Sequence, residues 1–210
     1  AKKAVSTCGV LMLQREIPDR INIEAAQLAR STNNKCKIIL DAGGAPGVIP
    51  SDLLRLCDYF MPNLAELSQL NGREIGSVDE AIFAARGLQL RLGVKNILAT
   101  LGSKGSVFIP APESHDQRVI RCEVGSLPQQ LVVDTTGAGD TFRGAFAVGL
   151  VENRNLSDAM IWASQAAAIT VQSAGAIPSL PKRLQVAGST LQATCKFDNC
   201  FSCCLLNSSA

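Results

Sequence analysis

A chain of 210 residues with 47% apolar and 18% charged side chains is long enough to bury a substantial core and too apolar to be disordered in bulk, so it reads as soluble and globular. Its formal charge is only +2, its basic residues never run beyond the pairs Lys2-Lys3 and Lys182-Arg183, and aromatics make up 4%; with neither an electrostatic stripe nor a stacking platform, no nucleic-acid partner is expected. No stretch reaches the ~20 apolar residues of a membrane-spanning helix, and "AKKAVSTCGV" lacks the apolar centre of a signal peptide, so no membrane partner is expected either.

Apolar runs alternate with amphipathic segments along the chain. "GVLMLQ" predicts a strand, "DRINIEAAQLARS" a helix, "CKIILDA" a second strand and "PSDLLRLC" a short helix. "DYFMPN" predicts a strand end that leads into the helix "LAELSQL". The helix "SVDEAIFAARGLQLRLG" follows, with Ser77 and Glu80 in capping-box spacing, and then the strand "VKNILATLG". This is the rhythm of a parallel sheet covered by helices. "GSVFI" and "QRVIRCEV" are short and β-rich, separated by "PAPESHDQ", and predict antiparallel strands at a sheet edge. "LVVD" predicts a strand that gives way to two long helices, "AGDTFRGAFAVGLVE" and "LSDAMIWASQAAAITVQS".

Past Pro181 the character changes. Residues 182–210 are rich in Ser, Thr and Cys with no sustained period, and an unstructured tail is expected. Cys195, Cys200, Cys203 and Cys204 crowd this tail, but without a histidine or two separated CxxC pairs they do not predict a zinc site. Cys8, Cys36, Cys57 and Cys122 stand singly among apolar residues, as buried free thiols do in a reducing compartment. His115 lies in a polar loop, and Trp162 sits among alanines as expected core.

Chemistry concentrates in "DTTGAGDTF". Gly137 and Gly139 let the backbone bend sharply and leave its amides uncovered. A helix that begins there aims unpaired N–H groups and its positive dipole end at one spot, a receptor for phosphate. Asp140 stands beside that spot. Two roles are open to it: accepting a proton from an attacking hydroxyl, or serving as a first-turn carboxylate favoured by the dipole. No GxxxxGK[ST] occurs, and "GAGDTF" fails the GxGxxG fingerprint, so neither of those phosphate loops is present.

"DTTGAGDTF", together with "LMLQREIP", "ILDAGG", "MPNLAEL", "LATLGSKGS" and "VQSAGAIPSLP" in that order, resembles the PfkB-type carbohydrate kinases, in their ribokinase-like branch of plants and cyanobacteria, over roughly residues 7–181. The resemblance implies an α/β, three-layer ribokinase-like fold with a mostly parallel central sheet flanked by helices. It implies transfer of the ATP γ-phosphoryl group to the primary 5-hydroxyl of D-ribose, with Asp140 as base and the amides of Gly137, Ala138 and Gly139 as anion hole. Asn63 and Glu66 match an NxxE motif that organises Mg²⁺ and phosphate through water; read alone, they are a helix cap. Thr100, Leu101, Gly102, Ser103, Lys104 and Gly105 match the loop under the ATP phosphates, a stretch that by itself reads as a hairpin turn. Ser164 falls where relatives contact adenine. Glu16 matches a substrate-contacting glutamate. Asp134, Thr136, Thr170, Ser173, Gly175 and Ser179 match a K⁺ site of oxygen ligands.

Family members carry further chain before the matching region, including most sugar-binding residues and a β lid through which full-length forms are often homodimers. The resemblance therefore implies that the N-terminal part and the lid are missing, leaving residues 1–181 as a partial kinase domain and 182–210 as a divergent tail. Cytoplasm and plastid are both open as compartments, since a transit peptide would precede residue 1. Two alternatives stand beside a ribose kinase: a non-catalytic nucleotide-binding fragment, and a kinase for fructose, a ketodeoxy sugar acid or a nucleoside.

Overall fold

The computed structural model describes residues 2–44, 47–125 and 127–198. Helix α1 (Lys2–Thr7) precedes strand β1 (Val10–Arg15), helix α2 (Asp19–Thr32), strand β2 (Lys37–Gly44), helix α3 (Ser51–Leu56), strand β3 (Tyr59–Met61), helices α4 (Leu64–Asn71) and α5 (Val78–Leu92), and strand β4 (Asn96–Thr100). Strands β5 (Ser106–Ile109) and β6 (Val119–Val124) follow. Helices α6 (Ala138–Val151), α7 (Leu156–Thr170) and α8 (Arg183–Ala187) then lead to strand β7 (Ala193–Asp198). The seven strands form one sheet in chain order.

β1 to β4 pair in parallel, with Val10 opposite Lys37, Ile39 opposite Tyr59, and Tyr59 opposite Asn96. Parallel neighbours need a crossover, and α2, α3 and the α4–α5 pair supply it. Ile38, Ile39 and Leu40 of β2 are all at most 1% exposed. Consecutive strand residues point to opposite faces, so both faces are covered there, as a helix-flanked sheet requires. The five residues between β4 and β5 are too few for a crossover and turn the chain back on itself.

Two compact units divide the described residues. One is drawn from the described residues within 1–99, 107–120 and 197–198, the other from those within Thr100–Ser106 and Arg121–Lys196. In the first unit, α4 opens on Asn63, whose side chain accepts from the Glu66 amide at 2.9 Å while Glu66 Oε2 accepts from the Asn63 amide at 2.8 Å. α5 opens on Ser77, which accepts from the Glu80 amide; Glu80 reaches past it to the Gly76 amide, so the expected capping box closes one residue early. In the second unit, α6 and α7 pack through small residues, with Ala159, Ala163 and Ala166 of α7 almost wholly buried.

The fold differs from the sequence expectation in three places. "LVVD" forms no strand: Gln129–Leu131 is a 3-10 turn, and the amides of Val133 and Asp134 donate to the Val171 carbonyl at the end of α7 rather than to a sheet neighbour. The stretch after Pro181 is not an unstructured tail over its described part. Val186 of α8 is buried against Trp162 and Ala166, and β7 takes the outer place beyond β6, with Lys196 ion-paired to Glu123 at 2.9 Å. β5 and β6 are therefore interior to the strand order. Cys200, Cys203 and Cys204 lie outside the described residues.

Candidate active site

The second unit holds the turn 134–137 and the start of α6. Gly137 occupies the left-handed region (φ 76°), which a β-carbon disfavours, and swings the chain into the helix. The Thr141 amide makes the first helical bond, to the Gly137 carbonyl at 2.8 Å, and the Ala138 amide closes the turn on Thr135 at 3.2 Å. The amides of Gly139 and Asp140 come next in the first turn, where no intrahelical acceptor exists for them. The Gly137 amide is likewise without an acceptor, so of the Gly137–Gly139 set expected from sequence only the Ala138 amide is drawn into the turn, and the Asp140 amide joins the open donors. The Asp140 side chain is 80% exposed beside them.

Asp134 holds this turn in shape. One carboxylate oxygen accepts from the Thr136 amide at 2.9 Å and the other from the Gly175 amide at 2.8 Å, which binds the turn to the loop after α7. A β-carbon on Gly137 would meet Ala176 of that loop at 3.4 Å. The Gly175 amide first, and the Thr136 contacts after it, pull the Asp134 carboxyl below its ordinary value. A depressed carboxylate adds stability above its unfolded value, about 3.9, and loses it as pH falls through the folded one. Hydrogen exchange at the Gly175 amide should therefore speed up as pH drops below about 4, beyond the intrinsic pH dependence; in Asp134→Asn that extra step should vanish.

Arg143, one helical turn on, was not singled out by the sequence. It is 7% exposed, and its Nη1 lies 3.7 Å from Asp140 Oδ1. A β-carbon on Gly139 would stand 2.8 Å from the same nitrogen. Absence of a side chain at Gly139 thus makes room for a guanidinium against the first turn of α6.

The loop Thr100–Gly105 is also in this unit. The Leu101 amide donates to the Gly105 carbonyl at 2.7 Å around a 3-10 turn, Gly102–Lys104. A β-carbon on Gly105 would fall 2.0 Å from the Cys122 carbonyl oxygen, so the loop is pressed against β6 where only glycine fits.

The first unit places its candidates at the carboxyl ends of parallel strands, where ligands of such sheets collect. Glu16 follows β1 and is exposed. Asp41 and Glu66 both flank Gly43: a β-carbon there would lie 2.9 Å from Glu66 Oε1 and 3.5 Å from Asp41 Oδ1. No group of three or more His, Cys, Asp or Glu residues suited to a metal ion occurs among the described residues.

Residues 1–183 match the model of the pfkB family carbohydrate kinases. The chain belongs to that family. It is 42% identical to ribokinase of Arabidopsis thaliana over 183 residues, covering 87% of this chain and 46% of the relative, and 34% identical to ribokinase of Schizosaccharomyces pombe over 191 residues, covering 90% and 57%. The solved structure of Arabidopsis thaliana ribokinase complexed with ribose and ATP superposes with a TM-score of 0.79 at 40% identity, covering 89% of this chain and 57% of that one. Thermotoga maritima ribokinase superposes at 0.70 and 34% identity, covering 89% and 58%. The fold is ribokinase-like, and the chain spans about half the length of the curated relatives it matches.

Within this PfkB-family chain, the residues matched to a K⁺ site divide. Asp134, Thr136 and Gly175 are brought together. Thr170 is turned away: its hydroxyl donates to the Ala166 carbonyl and lies 3.1 Å from the Thr141 hydroxyl, in the seam between α6 and α7, and its carbonyl accepts from the Ser173 amide. Ser173 is exposed, and the Ser179 hydroxyl donates to the Ala176 carbonyl. Ser164 differs from expectation most clearly. It is 2% exposed and its hydroxyl lies 3.5 Å from the Cys122 sulfur, because its face of α7 packs inward. The side chain is therefore not presented to a base.

Proposed function

We propose that this chain is the nucleotide-binding part of an ATP-dependent sugar kinase that transfers the γ-phosphoryl group to the primary 5-hydroxyl of D-ribose. The observation that carries this reading is an exposed carboxylate, Asp140, beside open amides at the start of α6, in a turn braced by Asp134. Asp140 accepts the proton of the attacking hydroxyl as the new O–P bond forms and the bond from phosphorus to the β-phosphate oxygen breaks, leaving ADP. The amides of Gly137, Gly139 and Asp140 receive the charge on the transferring oxygens. A cation at the positive end of a helix is unfavourable unless an anion shares the site; Arg143 supplies that fixed charge and holds the Asp140 carboxylate on its near side. The Thr100–Gly105 loop lies under the remaining ATP phosphates.

Glu66, with Asp41 across the space that Gly43 leaves free, would hold a hydrated Mg²⁺ through water, and such an ion would supply charge neutralisation for phosphate oxygens. Asp134 and the loop around Gly175 would hold K⁺, since each Asp134 oxygen keeps a lone pair beyond the one used on an amide. Glu16 is assigned to the sugar.

ADP release with Mg²⁺ and K⁺, followed with and without ribose, tests the proposal: ribose-dependent release supports it, and release favouring fructose, a ketodeoxy sugar acid or a nucleoside moves the acceptor while keeping the chemistry. A second reading, nucleotide binding without turnover, is favoured by the coverage of 46% of the Arabidopsis relative; ATP binding without release would select it. Loss of the Arg143 charge should weaken ATP binding about tenfold, the size of one charge-assisted hydrogen bond. Calorimetry of Arg143→Gln should show that loss for ATP and not for adenosine, with Arg143→Lys recovering most of it.

A further inference from the structure

We propose that Cys8 and Cys36 form an oxidisable dithiol, a covalent modification site whose co-reactant is a low-molecular-weight disulfide. Twenty-eight positions separate them, yet their sulfurs lie 3.4 Å apart. The backbone enforces that contact. Cys8 stands two residues before the start of β1 and Cys36 one residue before β2, and the register sets Val10 opposite Lys37. The Lys37 amide donates to the Gly9 carbonyl at 2.9 Å, the Asn33 side chain donates to the Cys8 carbonyl at 3.1 Å, and the Cys36 amide donates to the Asn33 carbonyl at 3.0 Å. Both cysteines are thus pinned at the mouth of one strand pair. That register carried one residue back puts Gly9 opposite Cys36 and Cys8 diagonal to it; strands about 4.8 Å apart with a rise of about 3.3 Å per residue give a diagonal of roughly 6 Å, inside the Cα window of roughly 4.4–6.8 Å that a disulfide spans. Side-chain rotation alone has to close the remaining gap to a bond of about 2.05 Å.

The two thiols differ in access. Cys8 is half-buried and meets the co-reactant; Cys36 is 1% exposed. Burial first, and the Cys8 contact second, push the Cys36 thiol up to about 11, with Arg30 opposing. Cys8 is therefore the entering nucleophile and Cys36 the resolving one. The Cys8 thiolate attacks one sulfur of the small disulfide and expels the first small thiol. Cys36 then loses its proton, attacks the Cys8 sulfur and expels the second. Two protein thiols are oxidised and one external disulfide is reduced to two thiols.

The other described cysteines are worse placed. Cys57 is buried, its thiol is pushed up to about 12 chiefly by burial, and it donates to the Leu53 carbonyl at 3.1 Å. Cys122 is held down by its hydrogen bond with Cys195, but it is 1% exposed; the more open Cys195 is pushed up by the same contact. In that pair the accessible sulfur is the poor nucleophile. Cys200, Cys203 and Cys204 lie outside the described residues and serve as the internal comparison.

The full chain is titrated with oxidised glutathione against reduced glutathione, alkylated, cut with trypsin and mapped by mass spectrometry. The expected product is the peptide 4–15 joined to 36–37, lighter by two hydrogens than the sum of the two, at oxidant levels that leave Cys57 and Cys122 alkylatable. Cys36→Ser should stop at a Cys8–glutathione mixed disulfide, and Cys8→Ser should leave Cys36 alkylatable. The crosslinked wild type should melt a few degrees higher, roughly 3 °C or more, because the bond closes a loop in the unfolded chain. Two results overturn the proposal: wild type that halts at the Cys8 mixed disulfide, or a Cys122–Cys195 bond that forms first while Cys8 and Cys36 stay reduced. Since the readout is a peptide mass, these outcomes are independent of whether the chain transfers phosphate.

Discussion

Asp140→Ala lowers ribose-dependent ADP release by roughly 10²- to 10⁴-fold, the range that a positioned general base contributes, while the ATP dissociation constant changes by less than about threefold. The split follows from the geometry. Asp140 is 80% exposed at the lip of α6, so its removal opens no cavity and leaves the fold intact. In the proposed reading the nucleotide phosphates are bound by the amide array and Arg143, which the substitution leaves in place. Removing an exposed carboxylate from beside an anion should, if anything, tighten ATP slightly. Initial rates at saturating ribose and ATP, with calorimetry on the same protein, check both halves. Equal loss of rate and of affinity would instead make Asp140 a structural carboxylate at the helix start.

Gly105→Ala destabilises the chain by about 3 kcal/mol or more, through two effects that add. Its backbone lies at φ 84° and ψ −134°, a conformation open to glycine almost alone, which costs any other residue on the order of 1–3 kcal/mol. The added β-carbon would also fall 2.0 Å from the Cys122 carbonyl oxygen, and the clash is with backbone in β6, which cannot swing aside as a flexible side chain would. Urea unfolding should show a midpoint shift at constant slope. A change under about 1 kcal/mol would mean that the loop is not pressed on β6 as described.

Much of the fold was legible because its elements keep one period each. "CKIILDA" could be read as a buried strand, and Ile38, Ile39 and Leu40 are buried on both faces. "DTTGAGDTF" could be read as a glycine turn into a helix, and Gly137 at φ 76° does lead into α6. What sequence could not supply was partners distant along the chain. Asp134 meets Gly175 across 41 positions, and Cys8 meets Cys36 across 28. "LVVD" has strand composition, but the Val171 carbonyl outcompetes any sheet neighbour for its amides. Ser164 was placed by motif alignment, whereas its direction is set by which face of α7 packs inward. Arg143 did carry a local signal: it is the one charge inside the apolar run "TFRGAFAVGL", three residues from Asp140 and four from Gly139, the spacing at which helical side chains meet. β7 was hidden because "ATCKFD" alternates weakly and its neighbour β6 lies far back in the chain, as the Lys196–Glu123 pair across 73 positions shows.

In the proposed reading the start of α6, with Arg143 beneath it, receives nucleotide phosphate. Titrating ATP with Mg²⁺ and K⁺ into the 210-residue chain by calorimetry, with circular dichroism to establish folding, tests it most directly. Saturable one-to-one binding that weakens in Arg143→Gln and persists in Asp140→Ala is the result predicted. A folded chain that takes up no ATP would contradict it.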